Sequence, residues 1–426
     1  MKTRMTTLFA SAILCLASAF AVEPSVSDVS VRQRWPWDSK VDIDYTLSGT
    51  NCDIVITASC DGMAPFELDP AHMTGDLFDV KPGAGHVTWD PVAAGYGDKT
   101  LAGFKVAVSP LADISERTYL VLDLLDGSCE YLVSPPEEGW LASEKGYTKS
   151  KIVFRRIPGG TFNMGYPRDV RDHVVALPSG ANFNYARYLQ HEVTLSSDYY
   201  MAVTLLTKSQ YCCLTGLVEN SSCNPGMTSH GQYTSCSYDK MRGNGSTWPN
   251  GDKYAVKEGS LLHALRNLTK GKLPAGWIID LPTSAQWERA CKADMPDNWI
   301  YYTGGTVDDD ATALTNIVNG IASCKISPRK TGSNIMNRTP NGWGLYDMLG
   351  LQQEFTLDYD WQNPSGAAYE PMTDPVGPSS GTKRILRGGN GDSHQFYAVT
   401  PVNWTTYVSS TVWATCRLAI HITPIK

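Results

Sequence analysis

Charge is scarce in this 426-residue chain: Asp, Glu, Lys and Arg together make up 19% of it. Lys and Arg total 36 against 43 acidic residues, and they form no cluster. A nucleic-acid binder is thereby excluded, because it needs a basic stripe to displace counterions. No apolar run of ~18 residues follows the N-terminus, so no membrane-spanning helix is expected. C-x-x-C is absent, which leaves a structural zinc site little support. Gly-rich phosphate loops and internal repeats are missing too. His191-Glu192 has no second His four residues on, so it is not a zinc-binding H-E-x-x-H helix. Asp392-Ser393-His394 holds the residue types of a catalytic triad. Neighbours on one extended strand point to opposite faces, so these three cannot form that geometry among themselves.

What is present is a globular composition. Apolar residues reach 42%, with 37 Gly, 12 Trp and 21 Tyr. That favours a turn-rich, aromatic-packed structure over a helical bundle, and the length favours more than one domain. Residues 1–21 read as a signal peptide. Lys2 and Arg4 precede an apolar run from Leu8 to Leu16, and Ala19-Phe20-Ala21 is an A-x-A cleavage site. The expected location is secreted or periplasmic. Of eleven cysteines Cys15 falls in this leader, which leaves an even number for an oxidising compartment. Cys52 and Cys60 flank one candidate strand, and Cys223 and Cys236 flank a Gly/Ser/Asn-rich loop. Each pair is a candidate disulfide, with buried free thiols as the alternative.

Residues 22–133 read as all-β. Val41, Ile43, Tyr45 and Leu47 alternate with Asp42, Asp44 and Thr46, the period of a half-buried strand. Ile54 and Ile56, Phe104 to Val108, and Tyr119 to Leu125 continue the series. Short strands separated by turn residues predict a β-sandwich of fibronectin or immunoglobulin type. Residues 134–150, opening on Ser134-Pro135-Pro136-Glu137-Glu138-Gly139, read as a linker. Beyond it the texture changes. Thr207 with Gln210 and Thr283 with Gln286 form capping boxes that start two short helices. Gly216 suits a left-handed cap for the first. Trp287, Ala290 and Cys291 make one apolar face on the second. Much of the remainder is Gly/Asn/Trp-rich and irregular.

From Arg156 to the C-terminus, distinctive blocks occur in order. Ile157-Pro158-Gly159-Gly160-Thr161-Phe162-Asn163-Met164-Gly165 comes first. His191-Glu192-Val193-Thr194-Leu195 follows, then Leu281-Pro282-Thr283-Ser284-Ala285-Gln286-Trp287-Glu288-Arg289-Ala290. Asn341-Gly342-Trp343-Gly344-Leu345-Tyr346-Asp347-Met348-Leu349-Gly350 comes next, and Arg387-Gly388-Gly389 and Cys416-Arg417-Leu418 close the series. In this order the blocks resemble the motifs of the formylglycine-generating-enzyme (sulfatase-modifying factor) family. The resemblance implies an α+β chain: the all-β sandwich followed, over residues 151–426, by an irregular C-type-lectin-like domain.

The family's chemistry needs two cysteines just after the R-G-G-S strand, where they bind copper(I). Here the strand runs on as Asn390-Gly391-Asp392-Ser393-His394-Gln395-Phe396-Tyr397-Ala398. By spacing, Ser393 and Ala398 stand at the thiol positions and Asn390 at the serine. A hydroxyl is a poor ligand for a soft ion and a methyl group is none, so copper and thiol oxidase chemistry are not expected. The family's calcium sites are eroded. Asn316 and Ile317 resemble the start of one, without its acidic continuation. Glu354 is either a calcium ligand or a hydrogen-bonded structural carboxylate. The acidic trio Asp308-Asp309-Asp310 is a cation loop or a solvated run. Asp358 and Asp360, two apart on one strand face, are the residue types of a glycosidase pair, but Trp361-Gln362-Asn363-Pro364 after them reads as a loop.

The C-terminal stretch mixes His394, Phe396, Tyr397, Asn403, Trp404, Tyr407 and Trp413 with hydroxyl residues. Aromatic platforms beside small polar groups suit a glycan or a protein loop. The reading favoured by the sequence is a ligand-binding module that takes a glycan or an exported protein. Its site would lie at Asn390, Ser393, His394, Trp404 and Tyr407. The alternative is a metal-dependent oxidoreductase of the same superfamily acting on an exported protein or small thiol.

Overall fold

Alternation decides the N-terminal sheets. In strand β2 (Val41–Ser48), Ile43, Tyr45 and Leu47 are buried while Asp44, Thr46 and Ser48 face outward. The computed structural model describes residues 23–111, 117–141, 145–170, 190–216, 237–243, 251–274, 276–323, 335–336, 338–360, 370–389, 404–407 and 414–422. Strand β2 lies between β1 (Ser25–Gln33) and β6 (Gly83–Trp89), with β5 (Met73–Gly75) beyond. A second sheet runs β4 (Phe66–Glu67), β3 (Ile54–Ser59), β7 (Lys105–Pro110). Ile43, Ile54, Ile56, Val87 and Trp89 form the core that the two sheets share. Tyr45 pairs with Gly85 across the strands, and a Cβ at Gly85 would lie 2.3 Å from the Tyr45 ring. Only glycine lets that ring lie flat on the neighbouring strand.

Strand β3 also settles the Cys52–Cys60 pair. Eight residues of extended chain hold the two sulfurs ~26 Å apart, far beyond the ~7 Å Cα limit for a disulfide. Both are buried free thiols, so the expected bridge does not form. Cys223 and Cys236 lie outside the described residues.

The second sheet system is antiparallel and six-stranded. Its order is β14 (Ile278–Asp280), β22 (Ala419–His421), β13 (Tyr199–Ala202), β10 (Lys151–Ile157), β8 (Tyr119–Asp123), β9 (Cys129–Leu132). The strand at Tyr119, grouped above with the sandwich, instead pairs with β10, Lys151 opposite Asp123 through Arg155 opposite Tyr119. Its composition explains why. Tyr119 and Val121 enter one core, Leu120 and Leu122 another, as a strand buried on both faces must. The Pro-rich stretch after Val133 therefore connects two strands of one sheet, and Trp140 within it is buried against Tyr119 and Tyr147.

The two regions meet through a buried carboxylate. Asp53 of the sandwich accepts from Arg156 Nη1 at 2.7 Å and Arg117 Nη1 at 3.1 Å, and Arg156 Nε reaches Asp198 at 2.8 Å. Burial opposes ionisation of Asp53, but Arg156 outweighs it and holds the carboxyl below its usual range.

Helices α1 (Lys208–Thr215), α2 (Tyr238–Met241), α3 (Leu261–Leu268), α4 (Ser284–Lys292) and α5 (Ala311–Ile321) cover this system. Both capping boxes form as the sequence predicts, and Gly216 ends α1 at φ 64°. Short pairs complete the domain: β11 (Gly160–Met164) with β12 (His191–Leu195) and β18 (Met372–Thr373), and β15 (Ala322–Ser323) with β16 (Leu349–Gly350). The last sheet runs β20 (Trp404–Tyr407), β19 (Lys383–Arg387), β17 (Glu354–Tyr359), β21 (Thr415–Cys416).

Candidate functional site

Helix α4 starts at the Thr283 capping box and runs inward, with Trp287 and Glu288 fully buried. A buried carboxylate must be paired. Glu288 accepts from the Gly165 amide at 2.7 Å and Arg387 Nη1 at 3.0 Å, with Lys292 Nζ 3.2 Å away. Burial again opposes ionisation, and Lys292 and Arg387 together hold Glu288 below its usual range. Arg387 also donates to Ser284 Oγ, and Lys292 to the Asn163 and Gly165 carbonyls.

Glu354 forms a second centre. Trp287 Nε1 donates to it at 2.7 Å, and Arg417 Nε and Nη2 each approach at 3.2 Å. Arg417 reaches on to the Ala202 and Tyr346 carbonyls. Burial pushes Glu354 upward, while Arg417 and Trp287 pull it back. Asn341 completes the frame: its amide donates to Ala290 O and Cys291 O, and its oxygen accepts from the Trp343 and Leu345 amides. Opening motif, helix motif, Asn341 turn and both closing arginines thus converge on α4.

This frame ends in a turn. Gly388 and Gly389 both adopt positive φ, and the Gly388 carbonyl accepts from the Gly350 amide at 2.6 Å. A Cβ at Gly388 would approach Met348 O to 3.2 Å, so strain and crowding together select glycine. Strand β19 then passes to β20, with Leu386 opposite Trp404 and Lys383 opposite Tyr407. Asn390, Ser393, His394 and Ala398 fall in the connection and lie outside the described residues. Trp404 stands at the loop end of the ladder and Tyr407 at its far end, ~10 Å along the strand. Cys416 is buried on β21, two strands from β19, ~10 Å across the sheet.

The proposed calcium residues sit in different surroundings. Asn316 is exposed and Ile317 half-buried on α5, whereas Glu354 is sealed in the core. Asp310 caps α5 and Asp309 accepts from the Thr306 amide, so two of the acidic trio serve the local backbone. Asp358 accepts from the Ser284 amide, and burial pushes it up to about 7. Among the described residues no three His, Cys, Asp or Glu side chains gather as a metal site.

Sequence reasoning missed the pairing of Glu288 with Arg387 and of Glu354 with Arg417. Its one signal is that Glu288, Arg387 and Arg417 each stand inside a motif block. It also missed a cleft of about 320 Å³ lined by Ala71 of the sandwich and by Arg266, Lys270, Leu273, Trp277 and Ile279.

Residues 143–422 match the family described as sulfatase-modifying factor enzyme 1-like domain. The chain belongs to this family. A formylglycine-generating enzyme of Mus musculus is 31% identical over 28% of the chain and 31% of its own length. Another, of Thermomonospora curvata, is 33% identical over 28% of the chain and 40% of its own length. The chain thus spans well under half of these curated relatives. Among solved structures, PvdO from Pseudomonas aeruginosa aligns with 63% of the chain and 94% of its own, at 16% identity and a TM-score of 0.41. The sulfatase-modifying-factor frame described above is the part that the motif blocks build. Among the described residues no helix is long and apolar enough to cross a membrane.

Proposed function

We propose that this protein is exported and uses its sulfatase-modifying-factor domain to bind a ligand, a glycan or an exported protein, without formylglycine-generating oxidase activity. One observation carries the reading. The buried frame that ends at Arg387 is intact, while the connection it supports holds Ser393 and Ala398 where the family's thiols belong. A frame retained without sulfur ligands favours recognition over copper chemistry. Asn390, Ser393, His394, Trp404 and Tyr407 would contact the ligand, aromatic rings providing area and the polar groups direction. The N-terminal leader supports the exported location.

The test is turnover of a Cys-x-Pro-x-Arg peptide in the presence of copper and oxygen, followed by mass spectrometry. No loss of mass at the peptide cysteine is expected. Formylglycine formation by the purified chain sinks the proposal.

A further inference from the structure

Two tryptophans stand in solvent at the tip of the β1–β2 hairpin, where Trp35 is 71% and Trp37 88% exposed. Large rings normally pack, because burying one recovers substantial hydrophobic free energy. Here the loop that carries them is pinned. The Arg34 amide donates to Lys40 O, the Trp37 amide to Arg34 O, both at 2.9 Å, and the Lys40 amide to Asp38 Oδ1 at 2.8 Å. The Arg34 guanidinium grips Asp42 on β2 through Nε at 3.0 Å and Nη2 at 2.7 Å, and Thr88 on β6 at 3.1 Å. The rings are therefore held out by an ordered scaffold.

The outer face of the sheet beside them is a polar lattice. Cross-strand pairing sets Arg32, Asp42 and Thr88 in one row and Ser30, Asp44 and His86 in the next. Arg32 Nη2 donates to Asp42 at 2.8 Å, His86 Nδ1 lies 2.6 Å from Asp44, and His86 Nε2 3.2 Å from Thr88 Oγ1. These groups orient one another yet keep capacity for an outside partner: the side chains of Arg32, Asp44 and His86 are 77%, 56% and 49% exposed. Val31 is also exposed but lies opposite Ile43, on the other face of the strand.

We propose that this tip and the adjoining face bind a neutral, polyhydroxylated glycan chain. A pyranose ring offers a C–H face to the negative π surface of an indole and hydroxyls at its rim. Trp35 and Trp37 supply the plates; Arg32, Asp44 and His86 supply oriented donors and acceptors. The local charges balance, Arg32, Arg34 and Lys40 against Asp38, Asp42 and Asp44, so the surface has no cationic excess for anionic lipid. Its apolar area is limited to two rings set among charges, unlike the continuous apolar centre of a protein interface. The inference is independent of the loop between β19 and β20.

The test is calorimetric titration, with indole fluorescence in parallel, of the full exported chain with β-1,4-linked hexaoses of glucose, N-acetylglucosamine and mannose. Saturable binding to at least one is expected, with a shift in emission. W35A/W37A should weaken it about tenfold or more, with the melting temperature unchanged because both rings are already in solvent. R32A should weaken it by a smaller factor at the same melting temperature. Absence of binding to all three hexaoses overturns the proposal. So does binding that W35A/W37A leaves intact while W404A abolishes it, which assigns the glycan to the other loop. Phosphatidylcholine–phosphatidylglycerol vesicle binding, or self-association, lost in W35A/W37A without any glycan binding would overturn it in favour of a membrane or a protein partner.

Discussion

Replacing Glu354 by Gln is the sharpest test of the buried frame. The substitution keeps the shape of the side chain and removes its charge. Arg417 is itself fully buried, and its two contacts with Glu354 then face a neutral amide. Removing one partner of such a pair leaves an uncompensated buried charge, at a cost of about 3–5 kcal/mol. At ~2–4 °C per kcal/mol for a domain of this size, melting should fall by ~6–20 °C. Urea unfolding followed by tryptophan fluorescence reads the loss directly, with an unchanged m-value showing that the exposed surface is the same. The double variant E354Q/R417M should lose less than the sum of the two single losses, because the charge left stranded in E354Q is then gone. A loss below ~1 kcal/mol in E354Q contradicts the structural role assigned to this carboxylate. Calcium that raises the melting temperature of the parent but not of E354Q contradicts it as well, since mass action would then identify Glu354 as a ligand.

Further expectations concern protons and caps. From a fully buried position His421 Nε2 donates to the Leu281 carbonyl and Nδ1 accepts from Gln286 Nε2, and burial lowers it to about 4. Its unfolded form takes a proton first, so stability falls as pH drops from ~6.5 to ~4, by about 3 kcal/mol in all. Asp358, raised to about 7, acts in the opposite sense: its folded form holds the proton, and stability falls as pH rises from ~4 to ~7. The two slopes oppose each other, so H421Q should unmask a decline with rising pH and D358N a decline with falling pH. Equal pH profiles for parent and variants would show that neither group titrates as its burial requires. Thr207→Ala and Thr283→Ala each remove a cap that the structure closes on both sides, and each should cost ~1–2 kcal/mol in a urea melt. A neutral effect of both would mean that the boxes are incidental to helix start.

The start signals of α1 and α4 and the end signal of α1 were legible because caps are local: a hydroxyl, an amide three residues later and, for α1, a glycine suffice. The alternation of Val41 to Leu47 was legible for the same reason. Tyr119–Asp123 was recognisable as a strand but not as a member of its sheet, since a run buried on both faces carries no mark of its partner. Asp53 could not be read as the anchor between the two regions, because Arg117 and Arg156 are distant in sequence and meet it only in space. Cys52 and Cys60 looked like a pair by compartment and parity, and extended geometry keeps them apart. Of the proposed ligand residues, Trp404 and Tyr407 are placed on one strand at opposite ends of its ladder, and the rest fall outside the described residues.

Family membership follows from the order and spacing of residues along the chain, because motif blocks are properties of residue type. The pairing of charges was decided only by tertiary structure. Glu288 chooses Arg387 and Lys292, Glu354 chooses Arg417, and Trp35 and Trp37 stay in solvent beside a polar lattice, because burial and cross-strand register exist only once distant segments have packed.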